Sequence, residues 1–312
     1  MRPPPTSPAE SRHYRFEEVA DGVHAAIARP GGFAICNSGI ADLGEGGLVF
    51  DAGMTPDSAR DLRHHATRLL GRPPSVAVTS HRHLDHFLGN SELSGIPIWG
   101  TRRTREILLE TADQLLAELR REELEREVAM LESRRDAMRT EDGRADLEFT
   151  LQIYRAALAC AGRFSIVPPD RTFDTRMTLP GPRKAELVSL GHGHTEADAF
   201  LLLPREKVLF AGDLVVVGVQ PSMGHSDPEH WVQELDQIER MAPERIVPGH
   251  GPVTSREGLR ETRDYLSGVL EAARASREAP LPRTLQRWEG SVTLDENLVA
   301  ARAWVQAHAT RA

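Results

Sequence analysis

His81-Arg82-His83-Leu84-Asp85-His86 sets four side chains with metal-ligating atoms into six consecutive positions. Imidazole and carboxylate together suit zinc and other first-row transition ions. His81 and His83 are two apart, so in an extended segment they project to one side. Asp85 and His86 follow at once, so the chain has to turn there and can present a second pair of donors to a neighbouring ion. Ser75-Val76-Ala77-Val78-Thr79 runs directly into this cluster and reads as a short strand. The cluster therefore belongs to a loop at the carboxyl end of a strand, where α/β folds build their sites.

The flanking chain fits that reading. Residues 16–50 read as strands, with Val23–Ala28, residues 33–37 and Gly47–Phe50 as apolar runs punctuated by glycines. Residues 55–70 carry Ala59, Leu62, Ala66 and Leu69 at helical spacing behind a Thr55-Pro56 start. Strand, helix, strand and site loop make an α/β pattern. Residues 101–163 break from it. The stretch from Thr101 to Arg139 has no Gly or Pro and is crowded with Leu, Glu and Arg. It reads as one long helix or a helical hairpin with i,i+4 charge pairing, followed after Asp142-Gly143 by a second helix over residues 145–161. Such an insertion is a packed amphipathic helical pair, a lid or a homodimer interface. Beyond Thr172, residues 176–179, 185–190, 199–203 and 208–211 read as strands. Pro228–Arg240 is a helix, residues 245–247 a strand, and residues 256–275 and 294–309 further helices.

Three more motifs each close a short β-run: Gly191-His192-Gly193-His194-Thr195, Gly212-Asp213, and Gly249-His250-Gly251. Alone, each is weak, because an Asp after a strand is commonly a turn or cap residue. Their order, every polar residue at a strand end, gives them value. His192 and His194 have the same two-residue spacing as His81 and His83, so both are open as ligands.

With these residues in place, the sequence resembles the metallo-β-lactamase superfamily, of the glyoxalase II/lactonase-like branch. The resemblance rests on the run from His81 to His86, on Gly193-His194-Thr195, Gly212-Asp213 and Gly249-His250-Gly251, and on Phe50-Asp51-Ala52-Gly53 upstream. These motifs run in the family's order over residues 20–255, apart from the insertion. The resemblance implies a four-layer αββα sandwich with the site at one edge of the sheets. It also implies two divalent metal ions, zinc first, with iron or manganese as alternatives. His81, His83 and His194 would hold one ion, Asp85, His86 and His250 the other, and Asp213 would bridge them. Asp51 would support the site from behind, and His194 is favoured over His192. Arg82 and Leu84 depart from the family's usual aromatic and small residues at those positions. Neither is a ligand.

The implied function is metal-dependent hydrolysis. A metal-bridging hydroxide would attack a small ester, lactone, thioester or amide, β-lactams included, with Asp85 orienting the nucleophile and handling the proton. The alternative is an iron-dependent sulfur dioxygenase-type oxidoreductase on the same fold. The loop over residues 218–230 could reach the site, and His225 is its candidate substrate contact. Trp288 reads as packing for the last helix.

Composition narrows the classes further. A chain of 312 residues can bury a large core, with a tail expected over residues 1–15 and a single domain over 16–312. A formal net charge of -8 argues against a general nucleic-acid binder. The Pro- and Ser-rich start has no apolar signal-like run, and no segment approaches the ~20 apolar residues of a membrane span. The expected partner is a small-molecule substrate, with no membrane or nucleic acid, in the cytoplasm. Cys36 and Cys160 follow no zinc-ribbon spacing and read as buried small residues of a reducing compartment.

Overall fold

The computed structural model describes residues 11–309. Its first sheet contains β1 (Tyr14–Ala20), β2 (Val23–Ala28), β3 (Ser38–Asp42), β4 (Gly47–Phe50), β5 (Pro74–Val78), β6 (Ile98–Thr101) and β7 (Arg171–Phe173), side by side in that order. β1 to β4 pair antiparallel and β4 to β7 parallel. Parallel neighbours require crossovers. α1 (Pro56–Leu70) joins β4 to β5, α2 (Leu84–Phe87) lies between β5 and β6, and the insertion spans β6 to β7 as α3 (Arg102–Glu118), α4 (Arg121–Ala137) and α5 (Glu141–Ala159). The second sheet contains β8 (Arg176–Thr178), β9 (Glu186–Gly191), β10 (Asp198–Leu203) and β11 (Val208–Val216), all antiparallel. After α6 (Pro228–Arg240), β12 (Arg245–His250) joins β11 in parallel, and α7 (Arg256–Arg274) and α8 (Val292–Ala309) follow.

The layers follow from which faces are apolar. Between the sheets, Ala25, Leu48 and Phe50 of the first meet Leu187, Leu201 and Phe210 of the second, all buried. Phe50 and Phe210 stack with centroids 5.9 Å apart. On the outer side of the first sheet, Leu62, Ala66 and Leu70 of α1 cover Ile40, Val49 and Ala77. On the far side, Trp231 and Leu235 of α6, Leu266 of α7 and Leu298 of α8 cover Phe200 and Leu209. The result is the expected αββα sandwich with a helical insertion. Among the described residues, no helix is long and apolar enough to cross a membrane.

Close sheet packing depends on Gly39 of β3, where an added Cβ would lie 2.5 Å from the ring of Phe210. Gly39→Ala is expected to destabilise the protein by about 2 kcal/mol through overpacking. The reading is a lower urea midpoint at unchanged slope. An unshifted midpoint would mean that the two sheets separate there at little cost.

Several local expectations change. Residues 33–37 are not a strand, because Phe33 and Ile35 take left-handed φ of 62° and 67°. This loop instead crosses to the other sheet, where Asn37 Nδ2 donates to the carbonyls of Pro248 and Gly251 at 2.9 and 2.8 Å. Of the residues 1–15 expected as a tail, Tyr14 and Arg15 belong to β1, while residues 1–10 lie outside the described residues. The insertion is three helices, broken near Leu119-Arg120 and at residues 138–140. Asp142-Gly143 does not break it, because Thr140 caps α5 by accepting from Gly143 N.

Candidate metal centre

Every element that carries a candidate ligand delivers it to one edge of the sandwich. His81 and His83 lie just beyond β5, and Asp85 and His86 sit in the single turn of α2. His194 follows β9, and His250 ends β12. Asp213 differs slightly from expectation. β11 does not stop at Ala211 but runs to Val216, and its ladder with β12 shifts register around Gly212. That irregularity turns the Asp213 carboxylate out of the strand edge.

The carboxylate faces two histidine sets with its two oxygens. Oδ2 lies 3.4 Å from His194 Nε2 and 3.9 Å from His81 Nε2. Oδ1 lies 3.1 Å from His86 Nε2 and 3.4 Å from His250 Nε2. Donor atoms of His81, His83, His194 and Asp213 all fall within 4.8 Å of one another, as do those of His86, Asp213 and His250. Asp85 Oδ2 joins the second set, 3.3 Å from His250 Nε2 and 3.5 Å from His86 Nε2. Nε2 of His81, Nε2 of His86 and Oδ1 of Asp213 are buried without a hydrogen-bond partner. Buried polar atoms are nearly always satisfied. Converging orphans of this donor chemistry fit divalent cations.

The electrostatics divide the same way. Burial, with the neighbouring histidines, holds His81 and His83 well below the usual imidazole range, and burial brings His194 down to about 4. These three are neutral donors, the form a metal requires. Burial also disfavours charge on His250, but the carboxylates of Asp213 and Asp85 outweigh it and push the ring up to about 10. His86 is likewise raised, since nearby anionic groups, Asp213 and Asp85 among them, outweigh its burial. The carboxylate-rich half thus already attracts positive charge.

A shell of buried groups fixes these rings. Asp51, strained at φ 56°, pairs with His86 Nδ1 at 2.7 Å and accepts from Ser80 N and Oγ at 2.7 and 2.8 Å. Ser80 Oγ also lies 2.9 Å from His81 Nδ1. One chain of bonds therefore orients His81 and His86 and leaves both Nε2 atoms facing the centre. Asp198 accepts from Thr195 N and Oγ1 and from Gly193 N, holding the loop that carries His194. Gly249 is required for close approach: a Cβ there would lie 1.8 Å from Asp213 Oδ1.

The remaining candidates fall into place around this centre. His192 turns away, bonding the carbonyl of His225 at 2.9 Å, so His194 is the inward histidine of the pair. His225 comes to the site, with Nδ1 3.2 Å from His83 Nε2. Arg82 is held by Glu196 in a bidentate pair at 2.7 and 3.0 Å. Trp288 both packs against the outer core and lines a cavity. The sequence motifs do not reveal Ser80 or the position of Cys36. Cys36 is fully buried, and its Sγ lies within 4.8 Å of donor atoms of Asp85 and His86. Burial pushes this thiol up to about 12, and it donates to the Asp85 carbonyl. Only the loop formed by residues 33–37 brings it there, and the apolar run of that loop reads as a strand.

A cavity of about 410 Å³ opens onto the centre, reaching His83, Asp85, Asp213 and His250. Its opposite wall belongs to the insertion: Leu119, Leu124, Phe149, Ile153, Tyr154 and Ala157. Leu108, Leu119, Leu124 and Ala157 also pack on Met54, Phe87 and Leu88 of the sandwich. The insertion is therefore packed on the core and forms a wall of the cavity.

Comparison with known proteins agrees with this architecture. Residues 31–250 match the model of the metallo-beta-lactamase superfamily. A metallo-beta-lactamase type 2 of Bacteroides fragilis is 28% identical over 88 residues, 27% of this chain and 35% of that protein, so the match spans about a third of the relative's length. The DIM-1 metallo-beta-lactamase superposes with a TM-score of 0.58 at 17% identity, covering 82% of this chain and 97% of that one. The FIM-1 enzyme of Pseudomonas aeruginosa, in a mono-zinc form, gives 0.57 at 17% identity over 82% and 95%. These structural likenesses show the fold, and the family model spans well over half the sequence. The chain belongs to the metallo-beta-lactamase superfamily.

Proposed function

We propose that this protein is a binuclear, zinc-loaded hydrolase that cleaves a small ester, lactone, thioester or amide, a group that includes β-lactams. Superfamily membership supports metal-dependent hydrolysis in general. The observation that carries the binuclear reading is Asp213, whose two oxygens face two different histidine sets. His81, His83 and His194 would hold one ion and Asp85, His86 and His250 the other, with Asp213 shared. The mono-zinc form of the FIM-1 enzyme favours zinc as the metal. Ions in these sets would lower the pKa of water and polarise a carbonyl oxygen.

The chain's own residues do the rest. Asp85 reaches the cavity, so its carboxylate can take a proton from the nucleophile and return it to the leaving group. The apolar wall of α5 limits water around the reacting group, which strengthens the site's electrostatics. Asp51 and Ser80 keep the histidine rings aligned throughout.

Metal analysis by mass spectrometry of protein purified without added metal tests the reading, together with hydrolysis assays on esters, lactones, thioesters and β-lactams. About two zinc ions per chain and turnover of at least one class are expected. Iron would turn the assignment to sulfur dioxygenase-type chemistry. No transition metal after reconstitution would overturn the metal centre.

A further inference from the structure

The cavity at the metal centre adjoins a second one of about 390 Å³, and both are lined by Phe149, Ile153, Val219, Gln220 and Ser222. Together they form a cleft leading from His250 along α5 to the start of α8. Each volume lies within the ~300–1,000 Å³ of small-molecule sites. α5 contributes residues from Phe149 to Ala157, a span of about 12 Å at the rise of a helix. Phe149 stands nearest the centre, its ring 5.5 Å from that of His250 and perpendicular to it.

Beyond the histidines of the metal centre, the charged side chains that line this cleft are all carboxylates. The lining carboxylates are Asp85, Asp213 and Glu118 in the inner cavity and Asp142, Asp146 and Glu296 in the outer. Among the described residues, no Lys or Arg lines either cavity. Nearby cations are engaged by carboxylates, Arg82 by Glu196 and Arg135 and Arg155 both by Glu148, while Arg134 reaches Glu296 at 4.0 Å. Two bound divalent ions would outweigh the single charges of Asp85 and Asp213 at the inner end, but would leave the carboxylates of the outer cavity, Asp142, Asp146 and Glu296. An anionic substrate group held in the outer cavity, beyond those ions, would meet like charge and an apolar wall, a costly arrangement.

Building on the hydrolase reading, we infer that the cleft selects an uncharged ester or lactone whose apolar acyl or aryl part lies between α5 and residues 219–222. It discriminates against substrates whose acyl or aryl part carries an anionic group. Phe149 and Ile153, one helical turn apart, are the specificity-determining contacts.

Binding and turnover test this separately. Fluorescence titration of the full chain uses neutral N-phenyl-1-naphthylamine and its sulfonated, anionic analogue. The neutral probe is expected to bind about tenfold or more tightly than the anion. Phe149→Ala should weaken the neutral probe by a similar factor. Ser222→Lys, at an exposed position on both cavities, should improve the anion selectively. Equal binding of the two probes, preference for the anion, or indifference to Phe149→Ala would overturn the inference. In parallel, kcat/KM is compared for neutral aryl esters of increasing acyl length and for a matched ester ending in a carboxylate. A rise with length and a loss with the carboxylate are expected. The reverse order overturns the inference while leaving hydrolysis established. Intact probe preference with no hydrolysis of either ester removes the hydrolase reading alone.

Discussion

Asp213→Ala is expected to reduce the bound metal from about two ions per chain to one or none, and to lower kcat/KM by about 10³-fold or more, a loss of about 4 kcal/mol in transition-state stabilisation. The expectation comes from the divided geometry. Each histidine set has candidate donors of its own, but among the described residues only Asp213 places an oxygen against both, at 3.4 Å from His194 and 3.1 Å from His86. Removing it takes one donor from each set and the anion that favours cations between them. Asp213→Asn separates these effects, since it keeps the shape and one carbonyl oxygen but removes the charge. If charge dominates, Asn should resemble Ala in metal content. If shared ligation dominates, Asn should retain more metal than Ala. The measurements are metal stoichiometry, kcat/KM on whichever substrate the wild type turns over, and circular dichroism to show a retained fold. A folded Asp213→Ala protein with two ions and near wild-type turnover would sink the shared-ligand assignment. Ser80→Ala gives an internal scale, because a group that only orients His81 and His86 should cost about 10- to 100-fold.

Much of this centre is legible in the sequence. Ligand identity depends on side-chain chemistry and strand-end position, and both are local. The run from His81 to His86 needs only a preceding strand, and His250 only a short strand before it. What the sequence hides depends on long-range placement. Cys36 reaches the centre through two residues in left-handed conformation, Phe33 and Ile35, which no apolar-run pattern anticipates. Asp213 sits inside β11 because the parallel partner β12 extends the strand beyond Ala211, and local propensity cannot show a partner supplied by residues 245–250. β6 and β7 escape the pattern for a similar reason: at four and three residues, they are strands only because the sheet edge holds them. The insertion is helical as its composition implies, yet its count of helices turns on caps. Thr140 moves the start of α5 ahead of Gly143, and a glycine in the first turn costs a helix less than one in its middle. Among residues outside the sequence motifs, Glu234 has the clearest signal. Trp231, Glu234, Leu235 and Ile238 follow the i, i+3, i+4, i+7 pattern of a buried stripe, with an acid at one of its positions.

Glu234→Gln is accordingly expected to flatten the dependence of stability on pH by about 5 kcal/mol between pH 5 and 9. Glu234 is 1% exposed, and neither carboxyl oxygen has a hydrogen-bond partner. His230 Nδ1 lies 3.4 Å away but bonds the carbonyl of His192 at 2.9 Å. Burial first, then the like charges of Asp198 and Asp227, push the carboxyl from 4.5 up to about 9. Between those values the folded chain holds a proton that the unfolded chain has released. Stability therefore falls as pH rises: the contribution is complete below pH 4.5 and is lost as pH passes through about 9. Glutamine has the same shape and no proton to lose, so the variant should match the wild type near pH 5 and exceed it increasingly toward pH 9. Urea midpoints of both proteins, stripped of metal with EDTA and compared at pH 5, 7 and 9, isolate this difference, because every other group titrates in both. Parallel curves would mean that Glu234 is ionised in the folded protein. The position ties the effect to the site: a Cβ on Gly193 would lie 2.2 Å from Glu234 Oε2, so the carboxyl presses directly against the loop that carries His194. Burial pushes the Asp198 carboxyl up to about 7 against the hydrogen bonds it accepts from Gly193 and Thr195, which hold that loop from its other side and favour its anion. Glu234 has no donor to accept from, so it supports the same loop by packing, and only its neutral form can do so without the cost of a buried, unpaired charge.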